Sequence, residues 1–111
     1  MTAFVCLLEI ELYLEAHDLK QKRKLVKSLK EQLRKRFGAA VAETEHHDKW
    51  QRATLLCALV GDGEIRDRAD AVQRFVESRF PDGCSFRRDV LSLNDLREAP
   101  PGFLHDLPRP L

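Results

Sequence analysis

Cysteine is sparse and scattered in this chain: three residues, Cys6, Cys57 and Cys84, with no CxxC pair and no Cys/His cluster. An odd, widely spaced set excludes a disulfide framework and offers no zinc-ligand spacing. The three read as unpaired thiols in a reducing cytoplasm. Glycine is also scarce, with five residues and none before Gly38. A phosphate cradle of backbone N–H groups after the first strand needs such glycines. The connection found there, Glu15-Ala16-His17-Asp18, is acidic instead. A dinucleotide fingerprint and a P-loop are both missing. No apolar run reaches the roughly 18–20 residues of a membrane span. The opening MTAFVCLLEIELYL lacks a basic n-region and a small-residue cleavage site, and Glu9 and Glu11 interrupt it. These absences predict a soluble, cytoplasmic protein that uses no cofactor, takes no small-molecule substrate, touches no membrane and is not an enzyme.

What the chain has instead is polarised charge. Residues 20–36, KQKRKLVKSLKEQLRKR, hold nine Lys/Arg and one acid, Glu31, in a chain whose formal net charge is +1. The segment carries +8, so everything else sums to −7. Such a distribution predicts one cationic face and an anionic partner. Overall, 43% hydrophobic and 33% charged residues in 111 fit one small globular domain rather than a disordered chain.

The apolar pattern predicts the elements. Phe4, Cys6, Leu8, Ile10, Leu12 and Leu14 alternate with Val5, Leu7, Glu9, Glu11 and Tyr13, the period of a strand with one buried face. Asp18 can cap a helix, with Gln21 three residues on as a capping-box variant, and Gly38 stops it after Phe37. Leu25, Val26, Leu29, Leu33 and Phe37 form its apolar stripe. Lys22 and Arg36 fall on or beside that stripe and are expected to reach out along it. Ala39–Glu45 and Ala53–Val60 read as strands, and Glu64–Phe80 as a second amphipathic helix with the stripe Ile65, Ala69, Val72, Val76 and Phe80. Pro81-Asp82-Gly83 ends it, and Cys84–Leu93 reads as a last strand. The order β-α-β-β-α-β specifies an α+β, ferredoxin-like fold: a four-stranded antiparallel sheet with two helices on one face. The domain is expected over residues 1–93. Four prolines, Pro100, Pro101, Pro108 and Pro110, mark residues 94–111 as an extended or disordered tail.

Two segments, HDLKQKRKLVKSLKEQLRKRF (17–37) and VAETEHHDKWQRATL (41–55), resemble the YlxP-like family, small bacterial proteins classed as a domain of unknown function. The most specific residues are Leu19-Lys20, Lys22-Arg23, Asp48 and Trp50-Gln51-Arg52-Ala53, and the match extends over about residues 1–93. Asp18 stands where the family commonly has Ser, and both cap helices. The resemblance implies a ferredoxin-like fold. Because members are often encoded beside translation-initiation and ribosome-maturation genes, it also implies a ribosome-linked role. It supplies no catalytic residues.

Candidate site residues follow from charge and face. Lys20, Arg23, Lys24, Lys27, Lys30, Arg34 and Lys35 are the expected phosphate contacts to RNA or the ribosome. Several of them repel at i,i+3 or i,i+4 spacing, each pair costing roughly 0.2–0.5 kcal/mol, which neutralised phosphates would relieve. The alternatives are a solvated face balanced by acids elsewhere, or an adaptor whose basic helix meets an acidic protein and whose tail is a linear recognition segment. Stacking on the sheet face is disfavoured, because Glu9 and Glu11 lie there and Arg52–Leu59 contains no aromatic residue. Val5, Leu7 and Tyr13 are assigned to a homodimer interface on that face. His46-His47-Asp48 are read as solvated loop residues rather than metal ligands. Trp50 is expected to fold over the sheet edge or a helix end; Arg52 is expected to pair with Glu43 or Glu45 across a hairpin, the alternative being that it extends the cationic surface. Small acylphosphatases share the β/α order, but the acidic, glycine-free first connection argues against phosphoryl chemistry. His17 has no base, nucleophile or oxyanion site beside it in sequence.

Overall fold

A computed structural model describes residues 2–98. Its elements run β1 (Phe4–Tyr13), α1 (Leu19–Phe37), β2 (Ala40–Glu45), β3 (Arg52–Gly61), α2 (Ile65–Arg79), β4 (Cys84–Ser92) and α3 (Leu93–Arg97). The four strands form one sheet in the order β2-β3-β1-β4, every neighbouring pair antiparallel. This is the ferredoxin-like α+β arrangement that the apolar pattern predicts.

Alternation along the two central strands decides which face is covered. Cys6, Leu8, Ile10 and Leu12 of β1 and Ala53, Leu55, Cys57 and Leu59 of β3 are almost wholly buried. Val26, Leu29 and Leu33 of α1 and Ile65, Ala69, Val72 and Val76 of α2 complete the same apolar cluster. Both long helices therefore lie on one sheet face, and neither covers the other. Burial raises the thiols of Cys6 and Cys57, the latter to about 11, so both remain protonated core side chains at neutral pH.

Local chemistry sets the ends of the helices. The Asp18 carboxylate accepts from the Gln21 N–H at 2.7 Å, while the Gln21 side chain accepts from the His17 N–H at 2.7 Å. The reciprocal bond of the capping box thus reaches one residue further upstream than its usual form. At the other end Gly38, at φ 63°, turns the chain into the left-handed region and donates to the Arg34 carbonyl. Arg68 of α2 then bonds the carbonyls of Phe37 and Val60 at 2.8 and 2.9 Å, tying the C-terminus of α1 to the end of β3. Gly83 permits a close crossing: a Cβ there would stand 2.7 Å from the Tyr13 carbonyl oxygen.

Two details depart from expectation. Leu25, assigned to the apolar stripe, is 38% exposed and borders a hollow with Phe80 and Pro81. The segment expected as a tail begins inside α3, whose Ser92 and Asp95 form a full capping box. Those hydrogen bonds to Ser92 hold the Asp95 carboxyl below its ordinary range. Residues 99–111, with all four tail prolines, lie outside the described residues.

Candidate nucleic-acid interface

The stripe Lys22, Val26, Leu29 and Leu33 turns inward at i, i+4, i+7 and i+11, which forces the remaining cations of α1 outward. Lys20, Arg23, Lys24, Lys27 and Lys35 are exposed, and Lys30 is half-buried at the margin. Arg34 is also exposed, but its Nη2 donates to the Val41 carbonyl at 2.9 Å, so it tethers β2 as well. Among the described residues, none of these seven is in an ion pair with a carboxylate. The first turn of α1 contains no acid. Lys20 in that turn therefore adds charge to the positive end of the helix dipole, where cations are disfavoured, and the Asp18 carboxylate at the cap offsets it in part. An anion docked on this end receives both contributions.

Lys22 does not reach out along the stripe as expected. It is 1% exposed, its Nζ stands 2.8 Å from Glu43 Oε2, and it donates to the carbonyl of His46. The lysine thus takes an apolar position and pins the first turn of α1 to the β2–β3 connection. A second correction concerns Arg52, which does not pair with Glu43 or Glu45: Glu43 lies beside the buried Leu55 and Arg52 beside Tyr13, on opposite faces of the sheet. Its guanidinium lies 3.8 Å from Glu11 and 5.4 Å from the centre of the Tyr13 ring. Glu11 in turn accepts from the Thr54 hydroxyl at 2.9 Å. Arg36, the other cation near the stripe, rests 4.5 Å over the Phe75 ring.

The register of the sheet divides its open face into two halves. At one end Val5 lies between Leu91 and Val60, and Leu7 lies between Asp89 and Ala58. Val60 there is 68% exposed. Further along, Glu9 lies between Arg87 and Leu56, followed by Glu11 beside Thr54 and Tyr13 beside Arg52. Tyr13 shares a face with Val5 and Leu7 but is eight residues from Val5 and six from Leu7, about 26 and 20 Å along the strand. The three residues assigned to one dimer interface therefore fall at opposite ends, with two carboxylates between them.

Beside Tyr13 the β2–β3 connection returns. The Leu14 N–H donates to the Gln51 carbonyl at 2.8 Å, joining the end of β1 to the start of β3. His46 sits at φ 64°, and a ring nitrogen of His47 lies 3.1 Å from the Glu43 carbonyl. Among the described residues no group of three or more His, Cys, Asp or Glu is placed to hold a metal ion. Trp50 keeps half its surface in water, 51% exposed. No helix among the described residues is long and apolar enough to cross a membrane.

The comparisons with known proteins are few. A family described as "Protein of unknown function (DUF503)" matches residues 5–83. No curated protein matches the chain. Among solved structures, the de novo designed protein Foldit4 aligns with a TM-score of 0.47 at 15% identity, over 81% of this chain and 94% of its own.

Proposed function

We infer that the chain, which belongs to the DUF503 family of proteins of unknown function, binds structured RNA through the exposed cationic face of α1. The observation that carries this reading is the row Lys20, Arg23, Lys24, Lys27, Lys30 and Lys35, none in an ion pair with a carboxylate among the described residues and set partly against the positive end of its own helix. Contacts of this kind go to phosphates, which position a protein on RNA without reading sequence. The YlxP-like resemblance of residues 17–37 and 41–55 supports a cytoplasmic partner in the translation machinery. Titration of the purified protein against ribosomal subunits and bulk RNA at several salt concentrations tests the reading. The expected result is micromolar or tighter binding with a log–log salt slope of roughly −3 to −5, strongest for one subunit. No binding even at low salt overturns it.

A second copy of the chain is the proposed occupant of the apolar end of the open sheet face. Val60, 68% exposed and opposite Val5 in the register, supports this reading, since isologous pairs are the commonest oligomers. Sedimentation should find a dimer that Val60→Glu converts to monomer without unfolding; a monomeric parent protein removes the proposal.

A further inference from the structure

We propose that the corner where β1 ends and the β2–β3 connection returns is a stacking site for unpaired bases of single-stranded RNA, held by Trp50 and Tyr13 on either side of Arg52. It rests on the RNA reading above and adds a second contact, distinct from the phosphate-binding face of α1.

Two open pockets meet at this corner. One, of about 640 Å3, contains Tyr13 and His17; the other, of about 380 Å3, contains Trp50 and Lys49; Gln51 and Arg52 line both. Tyr13 is 54% and Trp50 51% exposed, so two large rings keep half their surface in water a few residues from a well-filled core. Rings of this kind offer π-faces on which any base can stack, with an arginine plane as a further stacking surface.

Arg52 lies near Glu11 and the Tyr13 ring, but its side chain forms no hydrogen bond among the described residues. Its Nε is buried with no acceptor, and its Nη2 stands 3.8 Å from Glu11, beyond hydrogen-bond distance. The side chain is 43% exposed, so it can turn these donors toward a base carbonyl or ring nitrogen. Glu11, Glu15 and Asp48 surround the corner and disfavour a phosphate there. The same carboxylates accept hydrogen bonds from exocyclic amino groups, so the corner suits bases rather than backbone. The backbone has its own route. Lys22 bonds the His46 carbonyl, which holds this connection against the first turn of α1, where Lys20 and Arg23 flank Lys22 in sequence. A strand with a base on Trp50 can therefore run its phosphates onto the cationic helix.

Trp50 is the single tryptophan of the chain, so its fluorescence reports this site alone. The experiment titrates the full chain with a short single-stranded RNA and with a blunt RNA duplex of equal length. The parent protein, Trp50→Phe and Trp50→Ala are compared, with fluorescence for the parent and anisotropy of labelled RNA for all three. Single strands should quench Trp50 and duplex should not. Trp50→Ala should weaken single-strand binding roughly tenfold or more, Trp50→Phe much less, and neither should alter duplex binding. Equal single-strand affinity in the parent and Trp50→Ala overturns the stacking site while leaving the α1 reading intact. If the parent binds neither RNA, both fail together. A shift of Trp50 emission with protein concentration alone puts a second copy on the rings and overturns the proposal.

Discussion

The two long helices cover the same sheet face with similar apolar stripes, yet they treat charge in opposite ways. In α2 the arginines Arg66, Arg68, Arg74 and Arg79 are interleaved with Asp67, Asp70 and Glu77. Several are occupied inside the molecule: Arg68 bonds two carbonyls, Arg79 lies 4.9 Å over Phe75, and Asp70 holds Arg88 at 2.9 Å. In α1 one cation of the stripe, Lys22, is wholly enclosed, and the outer row has no carboxylate against it among the described residues. Helix packing alone needs only the stripe, which both have. The outer row of α1 adds repulsion that packing of the stripe does not require, and this is the contrast on which the proposed RNA contact rests.

The comparison is broken most severely at the enclosed lysine. Glu43→Ala leaves the Lys22 ammonium buried with only the His46 carbonyl, and should cost about 3 kcal/mol in chemical denaturation. The double change Lys22→Met with Glu43→Leu should recover most of that, because an apolar pair suits the position. The corresponding pair on α2, Asp70 with Arg88, is half in water, so Asp70→Ala should cost less than about 1 kcal/mol. Equal losses at Glu43 and Asp70 would show that Lys22 is not the anchor described.

That anchor also marks where reading the sequence stops. Periodicity put Lys22 on the stripe, but a helical wheel contains no information about β2, and only the folded sheet brings Glu43 opposite. Arg52 departs from its expected pairing for another reason: the register sets it beside Tyr13 on the open face, whereas Glu43 lies beside Leu55 on the helix side. Leu25 fails differently: it has the right spacing, but α2 gives way to Pro81 beside it and leaves a hollow. The strands were legible because alternation is local, and so was the cap at Asp18. Alternation also put Val5, Leu7 and Tyr13 on one face correctly. Their separation follows from the strand rise as well; the corner at Tyr13 and Trp50 emerged only when the Leu14–Gln51 hydrogen bond showed where the β2–β3 connection returns.

A second test sets the outer rows of the helices against each other. Lys24, Lys27 and Lys35 replaced together by Gln should weaken structured-RNA binding roughly tenfold or more at moderate salt and reduce the salt slope by about 3. Arg34 stays out of the set, since its bond to Val41 would confound stability with binding. Fold stability should hold or rise slightly as like-charge pairs vanish. Arg66→Gln with Arg74→Gln on α2 should leave RNA binding unchanged, both residues being exposed on a helix of balanced charge. Equal weakening by the two sets would mean that net charge, and not the face of α1, governs binding.

The smallest expected effect separates the two roles of the α1 N-terminus. Asp18 caps α1 through Gln21, whereas Glu64 at the same place on α2 makes no side-chain cap bond. Asp18→Ala should therefore cost about 1 kcal/mol and Glu64→Ala only a few tenths. Asp18 is also the acid nearest in sequence to Lys20, Arg23 and Lys24, so it opposes the field that an RNA phosphate would meet. Asp18→Asn keeps an accepting oxygen for the Gln21 N–H and removes that charge. Stability should stay close to the parent while RNA affinity rises slightly, most clearly at low salt, where surface charges are least screened. Unchanged affinity in Asp18→Asn even at low salt, with the fold intact, would place the bound anion away from this end of the helix.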